Sequence, residues 1–236
     1  MAEGTRDIVG RLWVGEPLVF VWSPAFVAPR VWYDETTAIT STQWDDKSGN
    51  NRHSTMSIGT LSTSTINGRR VTAYSSAISS TAYSSTTVRE YWIVVQYDAA
   101  SPDGDPICCG GGSGNNQVVF RTSAGEAGGV YGRQMGVQCT GYAQINLPTS
   151  VHGRLMLLRT RFDVSATTMW HNGSLITSTG GCVTGTDPGR STLGGGYGSG
   201  STSFIGNIAE FLVTDSLSTD SAAALTTYLM NKWEIV

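Results

Sequence analysis

The sequence predicts an all-β chain, two antiparallel sheets packed as a sandwich, closed by one short C-terminal helix. Three observations predict it. Charged residues make up only 14% of the 236 positions while Gly, Ser and Thr are abundant, which suits strands and turns better than long helices. Two Asn-Gly dipeptides, Asn67-Gly68 and Asn172-Gly173, interrupt strand-like runs and are strong short-range hairpin signals. The stretch from Val31 to His53 sets Trp32, Tyr33 and Trp44 around a polar turn, and only strands arriving from elsewhere in the chain can bury aromatics this dense. One large β domain is expected at this length.

Residues 1 to 30 differ from everything after them. Prolines 17, 24 and 29 each remove a backbone donor, so an extended, partly polyproline-like arm is expected here and not a central strand. The arm cannot bury its own Leu12, Trp13, Leu18, Phe20, Trp22 and Phe26. They are expected to dock on a partner subunit, with packing on the chain's own sandwich as the alternative. The domain proper is expected over 31 to 236.

Along that domain, Thr65-Ile66 and Val71-Thr72 flank the first Asn-Gly turn inside a Ser/Thr-rich region running from 54 to 85. Tyr91 to Tyr97 is a continuous β-branched and aromatic run, expected as a central strand buried on both faces. Pro102, Asp103-Gly104, Pro106 and a glycine run make 101 to 116 a loop, and short strands are expected at 117–121, 129–132 and 135–140. Leu155 to Arg159 reads as another buried strand, and the second Asn-Gly turn joins Thr167–Trp170 to Ser174–Ile176. A glycine-rich loop over 194–200 precedes a last strand, Phe204 to Val213. Ser218-Thr219-Asp220 then caps a helix that sets Leu225, Tyr228, Leu229 and Trp233 on one face. Ten to twelve strands are expected in all.

Composition removes several classes of function. A net charge of −3 carries no basic footprint, so no nucleic-acid partner is expected. No run approaches the roughly 20 apolar residues that cross a bilayer, and no membrane partner is expected. Glu3, Asp7 and Glu16 stand where a secretory leader would be basic, so synthesis for the cytosol is expected. Cys108, Cys109, Cys139 and Cys182 show no C-x-x-C spacing and are expected as buried free thiols.

The ordered motifs resemble those of the concanavalin A-like (laminin-G-like) jelly-roll domains found in bacteriophage virion proteins and bacterial surface proteins. The residues that carry the resemblance are Val31-Trp32-Tyr33-Asp34, Gln43-Trp44-Asp45-Asp46-Lys47-Ser48-Gly49-Asn50, Ile66-Asn67-Gly68, Arg161-Phe162-Asp163, His171-Asn172-Gly173-Ser174, Phe204 to Glu210 and Tyr228 to Trp233. It covers about 31 to 236. What it implies is a fold of two curved antiparallel sheets with the terminal segments side by side, while function stays open, since one fold hosts many.

The chemistry known on that fold is mostly missing. Retaining glycosidases need two carboxylates about 5 Å apart, and the seven glutamates are scattered with no Glu-x-Asp-x-x-Glu strand. Glu210 matches a structural strand of the family. His53, His152 and His171 have no G-x-S-x-G serine to serve. Asp45 and Asp46 are weak calcium candidates, against the simpler expectation that they bond the backbone of their own turn. The glycine runs lack phosphate-loop spacing. Tyr131, Tyr142 and Tyr197 lie in glycine-flanked segments, where an exposed ring would stack on a sugar.

The expectation is therefore a non-enzymatic structural protein of a bacteriophage particle, a capsid decoration (cement) or other virion surface subunit made in the host cytoplasm. Its expected partners are other virion proteins such as the major capsid protein, in a homo-oligomer or multicopy arrangement, and a host surface glycan. No cofactor is expected. The alternative is a carbohydrate-binding lectin or adhesin module.

Overall fold

The computed structural model describes residues 22–75, 77–84, 88–98, 107–109, 118–123, 134–138, 142–146, 150–163, 166–180, 189–195 and 204–236. These hold a 3-10 turn (Pro24–Val27), sixteen strands and one α-helix. The strands are β1 (Val31–Tyr33), β2 (Gln43–Trp44), β3 (Ser54–Ile58), β4 (Ser62–Ile66), β5 (Arg69–Ser75), β6 (Ile78–Ala82), β7 (Val88–Tyr97) and β8 (Ile107–Cys109). There follow β9 (Val118–Ser123), β10 (Gln134–Gln138), β11 (Tyr142–Asn146), β12 (Leu155–Asp163), β13 (Ala166–His171), β14 (Ser174–Gly180), β15 (Arg190–Leu193), β16 (Ile205–Thr214) and the helix α1 (Thr219–Trp233).

Two antiparallel sheets of eight strands face each other. One runs β14-β13-β12-β7-β16-β5-β4 with β1 also against β16, and the other runs β11-β10-β9-β8-β15-β6-β3-β2. β7 and β16 form the centre of the first sheet and are buried at almost every position. The cause is a third layer. Tyr91, Ile93, Val95 and Tyr97 point into the core between the sheets, whereas Trp92 and Val94 point outward beneath α1.

The inner core holds Tyr33, Trp44, Tyr74, Phe162, Phe204 and Phe211. The outer core joins Trp32, Val71, Leu157 and Leu212 to Ala222, Leu225, Leu229 and Trp233 of the helix. Ser218 caps that helix by accepting from the Ser221 amide at 3.2 Å. At its other end the Asn67 side chain of the β4–β5 turn donates to the Trp233 carbonyl at 2.9 Å. Asn67 and Gly68 both take the left-handed conformation that this tight turn demands, at φ of 50° and 73°.

Several strands exceed the sequence expectation. β8 falls inside the expected 101–116 loop, and β2, β11 and β15 are too short or too polar to show a hydrophobic period. They form because partner strands supply their hydrogen bonds, as when β15 sits between β6 and β8. Cys108 and Cys109 lie in β8 opposite Thr192 and Ser191. Cys139, Cys182 and the strand expected at 129–132 lie outside the described residues.

From Trp22 onward the segment expected as part of the arm is a 3-10 turn rather than extended chain. The same proline that disfavours a central strand suits the first position of a helical turn, and Ser23 caps it by accepting from the Ala25 amide at 3.4 Å. The turn is fastened to the domain, because the Arg30 amide donates to the Val213 carbonyl at 2.7 Å. Leu12, Trp13, Leu18 and Phe20 lie outside the described residues.

Candidate functional site

The local geometry that builds the site starts in β16. Between Ile208 and Glu210 the pairing with β7 shifts by one residue, so Ala209 is a bulge. The bulge leaves Ile208 and Phe211 in the inner core while Glu210 turns to the helix-bearing face. There its carboxylate is fully buried. Trp32 Nε1 donates to Oε1 at 2.8 Å and Trp233 Nε1 to Oε2 at 2.8 Å. Lys232 Nζ lies 2.8 Å from the same Oε2.

Lys232 connects this buried group to the surface. Its ammonium also lies 3.3 Å from Asp34 Oδ2 and 3.6 Å from Glu35 Oε2. Asp34 in turn receives Lys47 Nζ at 2.8 Å, and Arg69 Nη1 donates to Glu35 Oε1 at 2.9 Å. Lys47 lies over the Trp32 ring at 4.4 Å. Each charge has an opposite charge beside it.

The titration behaviour follows from the same contacts. Burial raises the Glu210 carboxyl above its usual range, with Lys232 and Trp233 opposing. Burial would raise Asp34 too, but Lys232, Lys47 and Thr36 outweigh it and hold that carboxyl below its usual range. For Lys232 burial works against the charge, yet Glu210 and Asp34 reverse this and hold the ammonium well above an ordinary lysine.

Above the network opens a cleft of about 840 Å³ between α1, the segment before the 3-10 turn and the residues following β1. Trp22 and Tyr228 form its aromatic wall, ring centroids 5.5 Å apart and inclined by 51°. Thr36, Arg69, Thr227 and Asn231 bring polar groups to its rim. An aromatic wall facing hydroxyl, amide and paired charges is an arrangement for holding a ligand. Of the described carboxylates around it, Asp34, Glu35 and Glu210 each lie beside a cation.

No family model and no characterised protein matches the sequence. Solved structures do match the fold. Domain 4 of an extracellular GH43 arabinanase from Geobacillus stearothermophilus, determined in complex with arabinotriose, superposes with a TM-score of 0.57 at 14% identity over 84% of this chain and 97% of that one. The receptor-binding domain of botulinum neurotoxin C/D mosaic serotype gives 0.59 at 10% identity, with 86% of this chain and 52% of that one covered. Trypanosoma rangeli sialidase gives 0.61 at 10% identity, with 86% of this chain and 32% of that one covered.

The fold is a jelly-roll-like β-sandwich. It spans nearly all of the arabinanase domain, about half of the toxin domain and about a third of the sialidase. None of these three is a virion protein.

The sequence-derived candidates fall in different places. Trp22 lies in the cleft wall on its own chain's Tyr228, while Phe26 stays 46% exposed beside it, with ring centroids 6.3 Å apart. Asp46 does what a turn aspartate does by default, accepting the amides of Trp32, Ser48 and Arg52 at 2.9, 3.0 and 2.9 Å. Asp45 accepts from the Gln43 side chain at 2.6 Å and lies 3.2 Å from His53. Tyr142 opens β11, whose side chains are not among those described, and Tyr131 and Tyr197 lie outside the described residues.

The cleft itself was not singled out from the sequence. One signal was available: Lys232 directly precedes a Trp233 expected on the buried helix face, which places a cation at the edge of that face.

Proposed function

We propose that this chain is a non-enzymatic binding module whose ligand is a carbohydrate. The observation that carries the reading is the state of its carboxylates. Catalysis on a glycoside needs one acid to give a proton and a second carboxylate to attack or activate water. Around the cleft each carboxylate is held by an ammonium, a guanidinium or indole N–H groups. With the described carboxylates around the cleft occupied in this way, holding a glycan is the role we assign to the module. The arabinanase domain, similar in fold and captured with arabinotriose, supports sugar as the ligand class.

The test is to pass the full chain over immobilised oligosaccharides while assaying release of new reducing ends. Retention without release supports the module. Release of sugar, or no retention on any glycan, argues against it.

A second reading, a surface subunit of a bacteriophage particle, is favoured by the large apolar residues among the first thirty. Trp22 lies on the outer, helix-bearing side of the first sheet beside half-exposed Phe26, and the residues before it include Leu12, Trp13, Leu18 and Phe20. In this reading those residues join a capsid protein or another copy of the chain. Deleting residues 2–21 would then abolish incorporation into particles while leaving the sandwich folded. Unimpaired incorporation of the truncated chain would contradict it.

A further inference from the structure

We infer that the cleft beside α1 is the sugar site, and that it selects neutral oligosaccharides over anionic ones. This rests on the carbohydrate reading above and adds where the ligand lies and what charge it carries.

The cleft volume of about 840 Å³ lies within the range of small-molecule sites, about 300–1,000 Å³. Its wall presents the half-buried rings of Trp22 and Tyr228, inclined to each other by 51°, and an aromatic ring in such a wall packs against the C–H side of a sugar. Thr227 and Asn231 are exposed and supply a hydroxyl and an amide, which both donate to and accept from sugar hydroxyls.

The ligand's charge follows from counting pairs. Lys47 faces Asp34 at 2.8 Å, Arg69 faces Glu35 at 2.9 Å and Lys232 faces Glu210 at 2.8 Å. Arg70 turns its guanidinium to the Glu35 carbonyl at 2.7 Å and is not part of the lining. Each of the three cations lining the cleft thus has a carboxylate within 2.9 Å, Glu210 serving Lys232 from beneath the lining. A carboxylated or sulfated sugar entering here would have to take a cation from its present partner and leave a carboxylate uncompensated. A neutral sugar needs no such exchange.

The test is titration calorimetry of the full chain with arabinotriose, maltotriose, cellotriose and 3′-sialyllactose, repeated on Trp22→Ala, Asn231→Ala and Leu175→Ser. Leu175 is 64% exposed and outside the cleft. At least one neutral trisaccharide should bind, with Trp22→Ala weakening it about tenfold or more. Asn231→Ala should weaken it several-fold, and Leu175→Ser should leave it unchanged. Raising salt from about 50 to 500 mM should leave the affinity nearly constant.

Because Asn231 is exposed, its substitution keeps the test valid even where the Trp22 variant loses its fold by circular dichroism. Sugar bound equally well by wild type and by Asn231→Ala and any folded Trp22→Ala overturns the cleft assignment while leaving the carbohydrate reading standing. Salt-sensitive preference for 3′-sialyllactose overturns the neutral-ligand assignment. Failure of wild type to bind any of the four sugars overturns the carbohydrate reading and this inference with it.

Discussion

Lys232 Nζ and Glu210 Oε2 lie 2.8 Å apart in the layer between the first sheet and the C-terminal helix, with the carboxylate fully buried and the lysine side chain 9% exposed. The pair pins the helix to the central strand of the sheet. Replacing Lys232 by Met keeps most of the apolar stem but strands Glu210 and leaves Asp34 with only Lys47 as a cationic partner. Breaking one side of such a pair costs about 3–5 kcal/mol. Urea unfolding should show that loss, and a change below about 1 kcal/mol would show that the pair does not hold the helix.

The indole of Trp233 matters as a donor as well as a packing group. In Trp233→Phe the ring bulk largely remains, but Glu210 Oε2 loses one of its two close partners. The expected cost is about 1–3 kcal/mol by denaturant titration, the range for leaving a buried polar group short of a partner.

Asp34 contributes to the acid limb of stability, as does Asp215 beside Arg30. The folded Asp34 carboxyl is held below the ordinary value, so the folded state binds fewer protons than the unfolded chain through that window. The contribution is fully present above the unfolded value, about 3.9, and is lost as pH falls through the folded value. Asp34→Asn should therefore lower stability at neutral pH and flatten its fall between about pH 5 and pH 2. An acid limb identical to that of the wild type would show that Asp34 does not contribute to it.

Much of the fold was legible, for local reasons. Asn67-Gly68 and Asn172-Gly173 both form the expected hairpin turns, because a two-residue turn with positive φ at both positions admits few other residues. The run Tyr91 to Tyr97 is buried on both faces as expected, though the second cover is α1 and not another sheet. The site was harder to read because it is assembled across the chain. Asp34 and Lys232 are 198 residues apart, and Glu210 faces them only because of the bulge at Ala209, which has no sequence signature. The cleft wall also uses Trp22 in a segment whose prolines suggested an arm leading elsewhere.

Gly194 tests the packing at the end of β15. It has φ of +87°, and a Cβ placed there would meet the Ala77 carbonyl oxygen at 2.2 Å and the Tyr74 ring at 2.4 Å. Backbone and a fully buried tyrosine leave no room to give. Gly194→Ala should cost about 2–4 kcal/mol from backbone strain and overpacking together. A thermal midpoint unchanged from wild type would contradict the close approach.

The most direct measurement is calorimetry of the full chain with neutral trisaccharides, arabinotriose among them, followed by chromatography of the recovered sugar. Saturable binding with the sugar returned intact is the expected result. Cleavage of the sugar, or no heat with any neutral glycan at millimolar concentration, would contradict a non-enzymatic carbohydrate-binding role.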